Sequence, residues 1–106
     1  MLSEIAPREL KQRLDRGDRL VVLDVREPEE LAVARLDGTV HIPMSEIAGR
    51  LDEIDPDQEI VVMCHHGFRS AQVAGFLAQR DFSRVVNLAG GIDAWSLAVD
   101  PSVPRY

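Results

Sequence analysis

The sequence predicts an α/β domain built on a parallel sheet, and three observations carry that prediction. The apolar runs "RLVVLDV" (19–25), "EIVVMC" (59–64) and "RVVNLAGG" (84–91) lack polar alternation, the pattern of strands covered on both faces. Stretches with apolar residues at helical spacing separate these runs, and alternating strand and helix mean βαβ units. At 106 residues the chain has room for one domain with its own core, and no repeat, low-complexity tract or linker divides it. The expectation is a single domain over 1–106 with right-handed crossovers and helices on both faces. Residues 99–106 are expected to form a loosely packed tail, since "VDPSVPRY" has two prolines and no periodicity.

Each element follows from its residues. "APRELKQRLDRG" (6–17) places Leu10 and Leu14 on one helical face with Gly17 as a stop. The run 19–25 is the first long strand. "EPEELAVARLDG" (27–38) starts a helix at Pro28 with Glu29 and Glu30 in its first turn, where carboxylates suit the dipole. "TVHIP" (39–43) reads as a short strand closed by proline. "MSEIAGRLDEID" (44–55) predicts a short helix carrying Ile47 and Leu51 inward. The second buried strand, 59–64, precedes a helix "RSAQVAGFLAQRDF" (69–82) with Val73, Ala74 and Leu77 on one face. A third buried strand ends in paired glycines (84–91), and "IDAWSLA" (92–98) is the last helix.

Composition narrows the function classes. With 45% hydrophobic and 28% charged residues the chain is no disordered segment. Its longest apolar runs are too short to span a bilayer, and "MLSEIAPREL", charged by residue 4, does not resemble a signal peptide. The lone Cys64 cannot form an internal disulfide. These features predict a cytoplasmic protein with no membrane partner. A net charge of −6 argues against a nucleic-acid partner, whose phosphates call for basic stripes. Residues 1–60 hold 15 Asp/Glu against 8 Lys/Arg, whereas residues 61–106 hold 3 against 4. Depletion of carboxylates in the half containing Cys64 suits a site for an anion; it equally suits a half that is simply more buried.

In parallel sheets ligands bind beyond the C-terminal strand ends. Asp24–Glu27, Cys64–Ser70 and Leu88–Gly91 all fall at that edge. Cys64 closes a buried strand, and "HHGF" links it to a helix through Gly67, which can take a positive φ. So tight a loop turns successive backbone N–H groups inward and forms an anion site backed by the helix N-terminus. A thiol at such a place is expected to be acidified. Arg69 adds positive charge and Ser70 a hydroxyl, while His65 and His66 can supply charge or hydrogen bonds. Packing alone would not require a glycine turn and an arginine directly after the cysteine. A metal is not expected, because Cys64, His65 and His66 are consecutive, only His41 remains elsewhere, and zinc ligands are spaced by two or more residues. Cysteine phosphatases use a C-x5-R loop; here Cys64 to Arg69 is C-x4-R, and Ser70 at the next position cannot clamp phosphate as arginine does. The shorter loop suits a smaller guest, such as one sulfur atom carried on the cysteine.

Four segments in order carry a family resemblance: "VVLDVREPEEL", "DGTVHIP", "VVMCHHGFRSAQVAGFL" with its C-x-x-G-x-R-S loop, and "VVNLAGGIDAW" with L-x-G-G-x-x-x-W. Over essentially its full length the chain resembles a single-domain rhodanese, a sulfurtransferase. The resemblance implies a three-layer fold with a five-stranded parallel sheet and a first strand near Ser3–Ile5. It implies that Cys64 is the catalytic nucleophile and becomes a persulfide, with no other cofactor. It further implies that residues 65 to 69 cradle the sulfur, with Arg69 closing the loop. Donors would be thiosulfate or a persulfide, and the acceptor a thiol or a protein. Two departures stand out: "ARLDG" (34–38) replaces the family's G-H-I-P-G, and the positions after the cysteine, often basic or polar, are histidines. A relay module that passes sulfur between proteins without rapid turnover is the second reading, and a phosphatase or arsenate reductase the third. Without a second cysteine the chain has no internal partner for dithiol redox cycling.

Other residues have plainer expectations. Asp24 and Arg26 are expected to bond each other or the backbone and to shape their turn. Glu27 should start a helix, Trp95 join the core, and His41 be a satisfied structural histidine. Phe68, inside the loop with nothing local to pack on, is a candidate rim contact for a partner.

Overall fold

The computed structural model describes residues 3–106. Five strands form one wholly parallel sheet in the order β1-β5-β4-β2-β3: β1 (Glu4–Ile5), β2 (Val21–Asp24), β3 (Val40–His41), β4 (Ile60–Met63) and β5 (Val85–Leu88). Four α-helices accompany them: α1 (Pro7–Asp15), α2 (Pro28–Val33), α3 (Phe68–Ala78) and α4 (Gly91–Ala98). The three-layer architecture with a five-stranded parallel sheet, anticipated from the sequence, is present.

Period-two alternation sends β4 side chains to opposite faces. Ile60, Val62 and Cys64 pack with Val73, Ala74 and Leu77 of α3 and with Ile47 and Ile54. Val61 and Met63 pack with Leu10 of α1, Ile92 and Trp95 of α4, and Val103. Both faces are therefore covered, which is why these strands read as continuous apolar runs. From β2 the chain moves outward to β3, and from β4 it moves the other way to β5. The order thus reverses between β2 and β4, where open α/β sheets leave a crevice at their C-terminal edge. Cys64 follows β4 at that point.

Several expectations are corrected. The helix predicted to reach residue 38 ends at Val33, because Ala34 turns extended (φ −154°, ψ 138°) and Ala34 and Leu36 are buried against the sheet. The helix predicted over 44–55 is two short 3₁₀ segments, Met44–Gly49 and Leu51–Glu53, broken at Arg50; Ile47 is buried and Leu51 half-buried. A 3₁₀ helix is normally held to short pieces by its poorer hydrogen bonds. Helix α3 stops at Ala78 rather than 82, since Asp81 takes a left-handed φ of 69° and the Phe82 N–H returns to the Leu77 carbonyl at 3.2 Å. That is a Schellman closure with Asp81 where glycine is usual, and Phe82 buried behind it. The tail is not loose: Val103 joins the core, and Tyr106 stacks on His65 at 3.8 Å between ring centroids. No helix among the described residues is long and apolar enough to cross a membrane.

Candidate active site

Cys64 is buried beneath the loop it begins, 1% exposed. Its Sγ receives the Gly67 N–H at 3.1 Å and lies 3.2 Å from Ser70 Oγ. Gly67 caps α3 with φ 101°, a conformation costly for any residue with a Cβ. The tight loop therefore starts α3 directly above the sulfur. Among the described residues, the backbone N–H groups of Phe68, Arg69 and Ser70 have no carbonyl partner, as expected for the first turn of a helix. They give the N-terminus of α3 the positive end of its dipole.

The loop's carbonyls are held from the other side. Ile92 N–H donates to the Cys64 carbonyl at 2.9 Å, and Asp93 N–H to the His65 carbonyl at 3.1 Å. In a planar trans peptide C=O and N–H point opposite ways, so anchoring these carbonyls on α4 turns the His65 and His66 N–H groups away from α4. The approach is possible only because residue 91 is glycine: a Cβ there would lie 2.4 Å from both carbonyl oxygens. In the sequence the pair Gly90–Gly91 looked like a strand stop; its further role is to let the first turn of α4 grip the loop.

Arg69 does not reach into the loop. Its guanidinium forms a bidentate pair with Glu30 of α2, Nη1–Oε2 at 2.7 Å and Nη2–Oε1 at 2.8 Å. Chiefly through this pair, the Glu30 carboxyl is held down to about 2 and the Arg69 guanidinium is pushed further up. Glu30 Oε2 also accepts the Glu27 N–H at 2.9 Å, so Glu27 sits at the start of α2 as expected. Tyr106 donates its hydroxyl to Glu30 Oε1 and accepts from Arg26 Nη1, both at 2.9 Å. Arg26, fully buried, grips the equally buried Asp24 through Nε and Nη2 at 2.9 and 2.7 Å. A continuous chain Asp24–Arg26–Tyr106–Glu30–Arg69 thus runs beside the loop. Sequence reasoning had paired Asp24 with Arg26 but missed Glu30 and Tyr106 as partners.

The histidines separate in role. His65 lies between the rings of Tyr106 and His66, each 3.8 Å away, and its buried Nε2 has no hydrogen-bond partner among the described residues. Burial, reinforced by His66, lowers its pKa below the ordinary value. Burial thus holds it toward its neutral form, as a packing ring. His66 is more exposed and approaches Asp93 at 3.9 Å. Donor atoms of His65, His66 and Asp93 lie within 4.8 Å of one another, a grouping that spacing along the chain concealed. Asp93 already accepts from Arg105 at 2.8 Å. Phe68 projects from the loop, 79% exposed. His41 donates through Nε2 to the Arg26 carbonyl at 2.7 Å, and Trp95 is core.

Comparison with known proteins places this geometry. The sequence model of the rhodanese-like domain matches residues 6–98. A sulfurtransferase of Allochromatium vinosum is 38% identical over 96 residues, covering 91% of this chain and 90% of that one. The thiosulfate sulfurtransferase GlpE of Pseudomonas aeruginosa is 35% identical over 93 residues, covering 88% and 83%. The chain spans about half (51%) of YrkF of Bacillus subtilis, a relative named as a sulfur carrier, at 37% identity. Among solved structures, a rhodanese-like domain protein from Staphylococcus aureus superposes with a TM-score of 0.86 at 28% identity, over 99% of each chain.

Proposed function

The chain belongs to the rhodanese-like domain family, and we propose that it is a sulfurtransferase working through a persulfide on Cys64. The observation that carries this reading is a buried sulfur, capped by the Gly67 N–H and the Ser70 hydroxyl, at the N-terminus of α3. Such a site suits an anionic sulfur, met by fixed dipoles.

The reaction is a double displacement. After the thiol has lost its proton to solvent, the Cys64 thiolate attacks the sulfane sulfur of thiosulfate. A new S–S bond forms while the S–S bond of thiosulfate breaks, and that electron pair leaves with sulfite. An acceptor nucleophile, cyanide in an assay or a thiol in a protein, then attacks the outer sulfur. The Cys64–sulfur bond breaks and its pair returns to Cys64 as thiolate. Covalent catalysis divides one transfer into two displacements, and pre-set N–H and O–H dipoles stabilise the anion at each stage. The relatives named as sulfurtransferase, thiosulfate sulfurtransferase and sulfur carrier support this reading.

Phe68 favours a second reading, in which the sulfur goes to a protein. A phenylalanine 79% exposed at the rim of a buried nucleophile suits contact with another chain's surface. Against phosphoryl transfer stands Arg69, whose Nη1 and Nη2 are both engaged by Glu30.

Thiocyanate formation from thiosulfate and cyanide, with the intact mass of wild type and Cys64→Ala, tests the proposal. Turnover that vanishes in the variant, with a one-sulfur mass gain on wild type alone, is expected. A mass gain without turnover would favour the relay reading, and neither signal from folded protein would refute both.

A further inference from the structure

Asn87 lies in β5, outside the loop motif, yet it touches both groups that touch the Cys64 sulfur. It is 1% exposed in a strand otherwise apolar, and a buried amide in such a place needs partners for both its ends. Its Nδ2 donates to the Gly67 carbonyl at 3.0 Å and to Glu4 Oε2 at 3.1 Å. Neither of those can donate in return, so the amide's orientation is settled, and Oδ1 faces Ser70. Ser70 Oγ lies 2.5 Å from that oxygen and 3.2 Å from Cys64 Sγ.

Both contacts act on the sulfur. Holding the Gly67 carbonyl on Asn87 turns the Phe68 N–H to the opposite side of that peptide, while the preceding N–H, that of Gly67, meets Sγ. Holding Ser70 Oγ selects the side-chain rotamer that keeps the hydroxyl against the sulfur. The Ser70 hydroxyl has one proton and two possible acceptors. Beside a neutral thiol it donates to Asn87 Oδ1 and accepts the S–H. Beside an anionic sulfur the charge-assisted bond is about twice as strong as a neutral one, so the proton is shared between Oδ1 and Sγ and drawn toward sulfur while Oγ stays on Asn87. Asn87, kept in place by its two donations, does not swing away when the proton leaves.

We propose that Asn87 is a positioning residue for sulfur transfer, presenting the Gly67–Phe68 peptide and the Ser70 hydroxyl to the sulfur of Cys64. The assignment rests on the persulfide reading of Cys64, and its test separates the two. The rate of one-sulfur loading from thiosulfate and the lifetime of the loaded form are measured by intact mass for wild type, Asn87→Ala, Asn87→Asp, Ser70→Ala and the double variant Asn87→Ala/Ser70→Ala. Asn87→Asp retains the shape and the acceptor facing Ser70 but puts an acceptor against the Gly67 carbonyl, so it carries the test if the alanine variant does not fold. Leu10→Ala, in α1 on the far face, serves as an equally disruptive core change away from the loop.

Asn87→Ala and Asn87→Asp each slow loading, or shorten the loaded lifetime, about ten-fold or more, the size of one hydrogen bond to a charged group. The double variant loses less than the product of its two single losses, because Asn87 acts partly through Ser70. Leu10→Ala lowers the melting temperature without changing loading. Asn87 variants that load and hold sulfur like wild type overturn the role of Asn87 alone. Losses that multiply independently, or an equal loss in Leu10→Ala, overturn it as well. Wild type that gains no sulfur overturns the persulfide reading, and this assignment with it.

Discussion

Gly91→Ala is the sharpest test of how the loop is held. The new Cβ would lie 2.4 Å from the Cys64 and His65 carbonyl oxygens, far inside contact distance, and both are backbone atoms that cannot rotate aside. Relief requires α4 to draw back, breaking the Ile92 and Asp93 N–H bonds to those carbonyls. Gly91 also has φ +62°, which costs an alanine about 1–2 kcal/mol. Two lost backbone bonds, at about 1 kcal/mol each before any unsatisfied group is counted, bring the total to about 3–4 kcal/mol. A domain of this size has only about 5–15 kcal/mol in hand, and each kcal/mol moves its melting temperature by about 4–8 °C. Gly38→Ala separates the terms: its φ is +77° but nothing lies within 4 Å of the added Cβ, so it bears the dihedral cost alone. Urea unfolding of both variants should show Gly91→Ala at least about 2 kcal/mol less stable than Gly38→Ala. In whatever fraction stays folded, Cys64 should load sulfur more slowly, because its loop amides have lost their anchor. Equal stability losses in the two variants would refute the carbonyl grip.

Two further outcomes follow from the chain of charges beside the loop. The Glu30 carboxyl sits at about 2 in the folded protein against an ordinary value of 4.5, first because Arg69 donates to it. A carboxyl depressed on folding contributes stability above its unfolded value and loses it as pH falls through the folded one. Wild type should therefore lose this contribution between about pH 4.5 and 2, Glu30→Gln should lack that part of the acid limb, and urea midpoints across that range that fall in parallel would contradict the pairing. Tyr106→Phe keeps the ring over His65 but leaves Arg26 Nη1 without its acceptor, a loss of about 1–3 kcal/mol for a buried donor. Thermal melting should show a drop of at least about 4 °C, and an unchanged midpoint would mean that the hydroxyl bridges nothing in solution.

How much of this was legible in the sequence depended on whether the signal was local. Strands β2, β4 and β5 were legible because burial on both faces makes each one a continuous apolar run. Strand β1, only Glu4–Ile5, has no periodicity to read and came from family resemblance alone. The end of α3 was misplaced because its left-handed cap is Asp81, which nothing in the sequence marks as the residue that turns. At the site, Cys64 through Ser70 were legible because they are contiguous. Glu30 reaches Arg69 across 39 residues and Tyr106 reaches Glu30 across 76, distances over which no pattern speaks. Asn87 did leave a signal, as the polar residue of "VVNL" in a strand read as fully buried, since a buried amide must be satisfied by something.

The carboxylate-poor second half of the chain suggested an electropositive site, and the fold argues otherwise. Glu30 arrives from the first half to engage Arg69, Asp24 engages Arg26, and Asp93 engages Arg105. Of the two loop histidines, His65 is held toward its neutral form by burial, and His66 faces the Asp93 carboxylate at 3.9 Å. An anion on Cys64 is therefore met chiefly by dipoles: the Gly67 N–H, the Ser70 hydroxyl and the N-terminus of α3. Dipoles fixed at about 3 Å act strongly on a charge at the sulfur and weakly on one farther out. Such a site stabilises a thiolate on Cys64 and does little to draw a doubly charged donor from solution. Its loading from thiosulfate should accordingly depend on ionic strength far less than diffusion steered by a free cation would.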